Sequence, residues 1–233
     1  MTMMKHAFVA LLLAAPAFAH AGNSYLSDTQ VSQAMAALPA PSAPGSAEDL
    51  ADYATADHAF AARSAADFTR AQQEEKFDVF DFAEVIGPGF RADKLPRVAA
   101  LFKEAEHETK EAVDLSKNHW KRPRPCPPAS ACALDPAKAA RKSYGYPSGH
   151  SSRATVDAIL LVQLFPQDAD ALMQESRDIG WRRVVKGVHT LQDIYAGREF
   201  GQALANDMLA SPALQHDLAE ARAELKAAGL AGH

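Results

Sequence analysis

Apolar residues recur at helical spacing through most of this chain. Between Pro96 and Asn118 they fall at Val98, Leu101, Phe102, Ala105, Ala112 and Val113, along one face of a predicted helix. Pro96 suits the first turn, where its missing N–H costs nothing. An Ala-rich stretch from 47 to about 76 has the same period, opened by Ser46 as a cap with Glu48 and Asp49 in the first turn. Ile86-Gly87-Pro88-Gly89 ends a short helix after it. Further helices are predicted from near Gly149 to Phe165, from Asp168 or Asp170 to near Gly187, from Leu191 to Leu209 and from Pro212 to Ala227. Pro123, Pro125, Pro127, Pro128, Pro136 and Gly145 make residues 119–146 a long ordered loop. Residues 22–45, with Pro39, Pro41, Pro44 and Gly45, read as a loop or extended N-terminal arm. No strand pattern of comparable length and no internal repeat occurs. The expected fold is all-α: a single-domain helical bundle over residues 46–233 with a functional loop at one end.

The first 21 residues break the amphipathic pattern. Lys5 precedes an apolar run from Ala7 to Ala15, and Ala17-Phe18-Ala19 and Ala19-His20-Ala21 each offer a small-x-small cleavage site. This is the layout of an export signal, cleaved after Ala19 or Ala21. The longest later apolar stretch, Ala158 to Val162, falls far short of the roughly 20 residues of a spanning helix. The mature chain is therefore expected to have no transmembrane segment and to be periplasmic or secreted.

Composition changes this picture little. The 233 residues are 48% hydrophobic and 23% charged, ordinary for a globular domain. The net charge of −5, or −6 once Lys5 is removed, argues against nucleic acid as a partner. Cys126 and Cys132 lie close together in the Pro-rich loop of a chain read as exported, which favours one disulfide, with two free thiols as the alternative. No His, Asp and Glu cluster has metal-ligand spacing, so metal-independent chemistry without a cofactor is expected.

Chemistry-bearing residues gather in three places. Lys117, Arg124 and Arg183 are fixed cations suited to the spread negative charge of a phosphoryl group in transfer. Pro147-Ser148-Gly149-His150 opens a helix, whose N-terminus is a natural oxyanion site. There Gly149 allows close backbone approach, Ser148 caps the helix or donates to phosphate, and His150 is placed as general acid. His189 and Asp193 stand four residues apart. A carboxylate on one imidazole nitrogen leaves the other as a nucleophile. The same Asp193 also fits a capping box in Thr190-Leu191-Gln192-Asp193. His119 is close to the clamp in sequence. The segment from Phe77 to Phe90, with Asp78, Asp81 and Glu84, is a candidate border of the entrance or a solvated helix face.

In order and spacing, Lys117-x6-Arg124-Pro125, Pro147-Ser148-Gly149-His150 and Arg183-x5-His189-x3-Asp193 resemble the pattern of the type 2 phosphatidic acid phosphatase superfamily. The likeness runs from about Ala51 to Ala227 and is nearest to the bacterial class A non-specific acid phosphatases. It implies an acid phosphatase hydrolysing small phosphate monoesters through a phosphohistidine, with some phosphotransferase activity. Lys117, Arg124, Ser148, Gly149 and Arg183 would bind phosphate, His189 would be the nucleophile, His150 the general acid and Asp193 the partner of His189. A vanadate-dependent haloperoxidase and a lipid phosphate phosphatase share the pattern and are the alternatives. The expected partner is a small phosphorylated substrate; a homo-oligomer is compatible with the sequence. Arg182 stands where the family usually has Ser. Either it faces away from the pocket, as adjacent helical residues point about 100° apart, or it adds a fourth cation.

Overall fold

The computed structural model describes residues 24–134 and 143–230. The segment read as an export signal lies outside them. Helices and connecting loops make up the described chain: α1 (Asp28–Ala37), α2 (Ala47–Ala62), α3 (Ala65–Gln73), α4 (Ala83–Ile86), α5 (Pro96–Trp120), α6 (Ala131–Leu134), α7 (Gly149–Leu164), α8 (Ala169–Val185), α9 (Leu191–Leu209) and α10 (Pro212–Ala227). Short 3-10 turns at Glu74–Lys76, Val79–Phe82 and Pro166–Asp168 join some of them.

Helix α7 is the centre of the bundle. It packs on α5, α8 and α9. Its small and apolar residues, Ala154, Val156, Ala158, Leu160 and Leu161 among them, are buried on all sides, as an enclosed helix requires. Against α9 the approach is so close that only glycine fits. A Cβ on Gly197 would lie 2.6 Å from the Ser148 carbonyl, and one on Gly201 would strike the Ser152 carbonyl. Two glycines of α9 therefore seat the start of α7, which carries Ser148 and His150.

Helix α5 runs the length of the bundle and delivers the loop. Pro96 takes its first turn as the sequence predicts. The Glu224 carboxylate of α10 receives the N–H groups of Arg97 and Val98, each at 3.0 Å, supplying the acceptors a helix start lacks. At the other end Lys121 adopts φ 51°. This left-handed cap costs about a kcal/mol for a non-glycine residue, and it turns the chain sharply. Arg122 and Arg124 thereby enter the same region from an extended segment.

The arm between 22 and 45 is not simply extended. Residues 28–37 are helical because Ser27 and Gln30 form a reciprocal capping box. The backbone N–H groups of Tyr25 and Leu26 are fixed on the Glu108 carboxylate at 2.7 and 2.8 Å, and Tyr25, Leu26, Ala34 and Leu38 join the main core. The long predicted helix from 47 to 76 is also divided. Arg63 is extended and Ser64 starts α3 by accepting the Asp67 N–H at 3.0 Å. Cys126 and Cys132 are bonded as a disulfide.

Asp157 of α7 is buried against this logic. Neither of its carboxylate oxygens has a hydrogen-bond partner among the described residues. Burial first, then the charges of Glu106 and Asp78, push its carboxyl well above the usual range, while Arg153 acts in the opposite sense. The folded state then holds a proton that the unfolded chain releases from about pH 4 upward. The resulting stability is present at low pH and declines as pH rises toward the folded value. Asp157→Asn should flatten this decline and make the protein more stable than wild type at pH 8, as thermal unfolding at pH 5 and pH 8 would measure.

Candidate active site

The three sequence motifs converge at the end of α5, the start of α7 and the junction of α8 with α9. His189 is buried in that junction. Its Nδ1 lies 3.1 Å from Asp193 Oδ2, and its Nε2 lies 2.8 Å from Arg124 Nη1. A guanidinium only donates. Nε2 is therefore the acceptor, and Nδ1 carries the hydrogen and donates to Asp193. This pair of contacts fixes the tautomer. Burial, reinforced by Arg124, Lys117, His150 and Arg183, pushes the imidazole well below its usual range, so His189 is neutral.

Asp193 serves both roles that the sequence allows. Its Oδ2 accepts the Thr190 N–H at 3.1 Å, and Thr190 Oγ1 accepts the Asp193 N–H, completing the capping box of α9. The same oxygen faces His189. Cap and partner of His189 are one arrangement, because a helix start places an N3 carboxylate back over the residues preceding it. The Asp193 carbonyl also accepts the Ser148 N–H at 2.8 Å, joining the two motifs directly.

Arg122 is the residue the motifs do not announce. It is almost fully buried, with Nη1 on Thr190 Oγ1 at 2.7 Å and Asp193 Oδ1 at 3.1 Å, and Nη2 on Asp49 and Asp52 of α2 at 3.0 and 2.8 Å. Burial raises the Asp193 carboxyl above its usual range, and Arg122 with the Thr190 N–H opposes that rise. Asp49 also accepts the Gly45 N–H at 3.0 Å, so the end of the N-terminal arm is tied into the network. Gly145 closes it from the loop. Its N–H reaches the Arg122 carbonyl at 2.8 Å, and a Cβ there would sit 2.8 Å from Asp193 Oδ2.

Lys117 and Arg124 stand together on the loop side. Lys117 Nζ donates to the Tyr144 carbonyl at 2.5 Å and to that of Gly145 at 3.3 Å. Burial first, then Arg124, lowers its ammonium to about 7. Arg124 spans the site, donating to the Ser143 carbonyl at 3.1 Å and the Val188 carbonyl at 2.9 Å as well as to His189.

Ser148 caps α7, its Oγ accepting the Ser151 N–H at 3.4 Å. Among the described residues a Cβ on Gly149 would meet Val113, in ordinary contact at 3.5 Å. His150 Nε2 lies 3.1 Å from the Glu74 carbonyl, which can only accept, so this nitrogen carries a hydrogen. Burial and then Arg183 lower the His150 imidazole to about 3. Phe77, from the predicted border segment, packs near His150 with ring centroids 6.4 Å apart. His119 is exposed, its ring edge-on to Trp120.

Arg183 is buried, and its Nη2 donates to the Ala71 carbonyl at 2.5 Å and approaches Glu74 at 3.5 Å. Arg182 is half-buried and engaged by acids, with Nη2 on Glu175 at 2.5 Å. Its Nε sits 2.8 Å from the same Glu74 carboxylate. Glu74 was not singled out by the sequence because Gln73-Glu74-Glu75-Lys76 reads as a solvated run. Among the described residues, no group of three His, Cys, Asp or Glu side chains is placed to hold a metal ion, and no helix is long and apolar enough to cross a membrane.

Residues 109–213 match the family description "PAP2 superfamily". The chain is 28% identical over 155 residues to an acid phosphatase of Zymomonas mobilis, covering 66% of this chain and 59% of that protein. It is 34% identical over 116 residues to a non-specific acid phosphatase of Salmonella typhi, covering 49% of this chain and 46% of that one. A non-specific acid phosphatase of Providencia stuartii is 23% identical over 86% of this chain and 84% of its own length. The match thus spans about half to three fifths of the first two relatives. A transmembrane PAP2-type phosphatidylglycerolphosphate phosphatase from Bacillus subtilis shares the fold, with TM-score 0.51 and 19% identity over 77% of this chain and 90% of that one.

Replacing Arg122 by Gln would leave Asp49, Asp52 and Asp193 buried around a neutral amide. Breaking a buried ion pair from one side typically costs 3–5 kcal/mol. Chemical denaturation of R122Q should show a loss of about that size, larger than for R124Q.

Proposed function

We propose that this chain, which matches the PAP2 superfamily over residues 109–213, is a member of that superfamily and hydrolyses small organic phosphate monoesters through a phosphohistidine on His189. The observation that carries this reading is the two-sided fixing of that imidazole. With Nδ1–H on Asp193 and the Nε2 lone pair turned toward the Arg124 guanidinium, the nucleophilic atom already points at a cation that binds the substrate's anionic oxygens. The acid phosphatase relatives support the reaction class.

A phosphoryl group entering between Lys117, Arg124, Arg183 and the N-terminus of α7 takes over the Arg124 N–H and frees Nε2. That atom attacks phosphorus opposite the leaving oxygen. The P–O bond breaks as His150 gives a proton to the departing alcohol. Asp193 keeps the Nδ1 proton hydrogen-bonded while the ring gains positive character, a role that orients and stabilises without accepting the proton. Water then attacks phosphorus, yields a proton to His150 and displaces His189, releasing phosphate. An alcohol in place of water takes the phosphoryl group instead, which is phosphotransfer. His150 is lowered to about 3 in the ligand-free site. A phosphate dianion beside it raises that value, because an opposite charge favours the protonated ring, so substrate binding itself arms the general acid. Arg122 acts as a positioning residue, through Asp193.

Export and a periplasmic or secreted location belong to the same proposal. They rest on the Lys5 to Ala21 pattern and are supported by the Cys126–Cys132 disulfide.

His189→Ala should lower kcat on an aryl phosphate by at least about a thousandfold, the scale for loss of a covalent nucleophile. H189A retaining activity near wild type would overturn the mechanism. A second outcome concerns pH. Lys117 is lowered to about 7, so its cation is present below that pH and lost above it. kcat/KM, which reports the free enzyme, should fall as pH rises through about 7 for an aryl phosphate already dianionic there. Lys117→Arg should move that falling limb to higher pH.

A further inference from the structure

Glu74 is a buried carboxylate that the mechanism above does not use. It ends α3 and touches both halves of the candidate site. Its carbonyl receives the His150 Nε2–H at 3.1 Å, and its side chain lies 3.5 Å from Arg183 Nη2. Two further arginines hold the same carboxylate. Arg70 Nε is at 2.8 Å and Arg182 Nε at 2.8 Å. Those arginines are shared in turn with surface-side acids, Arg70 with Glu84 at 2.5 Å and Arg182 with Glu175 at 2.5 Å. Three guanidinium groups thus face three carboxylates, and the charge of Arg183 is balanced before any substrate arrives. Arg183 nevertheless keeps binding capacity, since its buried Nε has no partner among the described residues.

We propose that Glu74 is a specificity-determining residue of the phosphate site: a built-in counter-anion to Arg183 that weakens the site's hold on phosphate dianions, held back from closing on Arg183 by Arg182 and Arg70. This rests on the reading of Arg183 as a phosphate ligand. A phosphate oxygen approaching Arg183 shares that guanidinium with a carboxylate 3.5 Å from its Nη2, and two anions drawn to one buried cation repel each other. Ground-state anions, free phosphate above all, are thereby held less tightly than the three cations alone would hold them, which favours product release. Arg182 has a role in this arrangement that a serine could not fill. With two guanidinium groups pulling Glu74 outward, Arg183 stays only partly covered. With Ser at 182 the carboxylate would lose one tether and shift toward Arg183.

The test is binding of inorganic phosphate, measured by calorimetry on the disulfide-bonded protein, with thermal unfolding as a check on folding. E74Q should bind phosphate about tenfold more tightly than wild type, from removal of one nearby like charge. R182S should bind it several-fold more weakly than wild type, and the double variant should bind like E74Q. The double variant separates this account from a simpler one. If Arg182 contacted phosphate directly, R182S would weaken binding equally in the wild-type and E74Q backgrounds, and the proposal would fall. It would also fall if E74Q bound phosphate no more tightly than wild type. Should E74Q not fold, Glu74→Asp serves, because the shorter side chain withdraws the charge from Arg183. Its affinity should rise above wild type, and an unchanged or lower affinity overturns the proposal. Absence of phosphate binding by wild type would remove the site reading itself, a result distinct from equal affinities in wild type and variant.

Discussion

The candidate site depends on one buried ion network, Arg122 with Asp193, Asp49 and Asp52. A carboxylate as enclosed as Asp193 would otherwise take up a proton, and a neutral acid holds an imidazole tautomer far less firmly than an anion. Arg122 meets Asp193 on Oδ1 while Oδ2 faces Thr190 and His189. The carboxylate therefore has both oxygens occupied and one orientation. That orientation aims His189. The same guanidinium reaches α2 through Asp49 and Asp52, so the site is braced by an element that contributes no residue of the three motifs.

Packing turns this local geometry into a rigid frame. α7 is enclosed by α5, α8 and α9, and the glycines at 197 and 201 let α9 approach until its backbone abuts that of α7. The Ser148 N–H then reaches the Asp193 carbonyl. The helix start bearing His150 and the helix start bearing Asp193 are in this way fixed to each other by main chain. Side chains alone, with several rotamers each, would hold two histidines less exactingly. The left-handed turn at Lys121 does the equivalent on the loop side, bringing Arg122 and Arg124 in from the end of α5.

Much of this was legible in the sequence, for identifiable reasons. The all-α fold follows from apolar period, and the ends of α5, α7, α9 and α10 follow from capping residues and prolines. Lys117, Arg124, His150, Arg183, His189 and Asp193 were legible because their residue types and spacings suit one chemistry. Arg122 was not, since Lys121-Arg122-Pro123-Arg124 reads as an exposed basic run, and its partners Asp49 and Asp52 lie about seventy residues away on another helix. Glu74 was hidden in a polar run for the same reason. Both are burial effects, and burial of a charge depends on distant packing that a local pattern does not carry. The helix at 28–37 was a different kind of miss. Its Ser27–Gln30 box was present in the sequence, but the neighbouring prolines outweighed it. Asp193 shows the converse, where two readings treated as rivals, cap and partner of His189, are a single geometry.

The account stands on His189 Nε2 as the atom that takes the phosphoryl group. The most direct measurement is rapid quenching in alkali of the protein mixed with an isotopically labelled aryl phosphate, followed by peptide mass analysis. The account predicts a phosphoramidate on the peptide containing His189, stable in base and labile in acid, formed and lost at rates at least as fast as turnover. Turnover at full rate with no label on that peptide, or label on another residue, would contradict it.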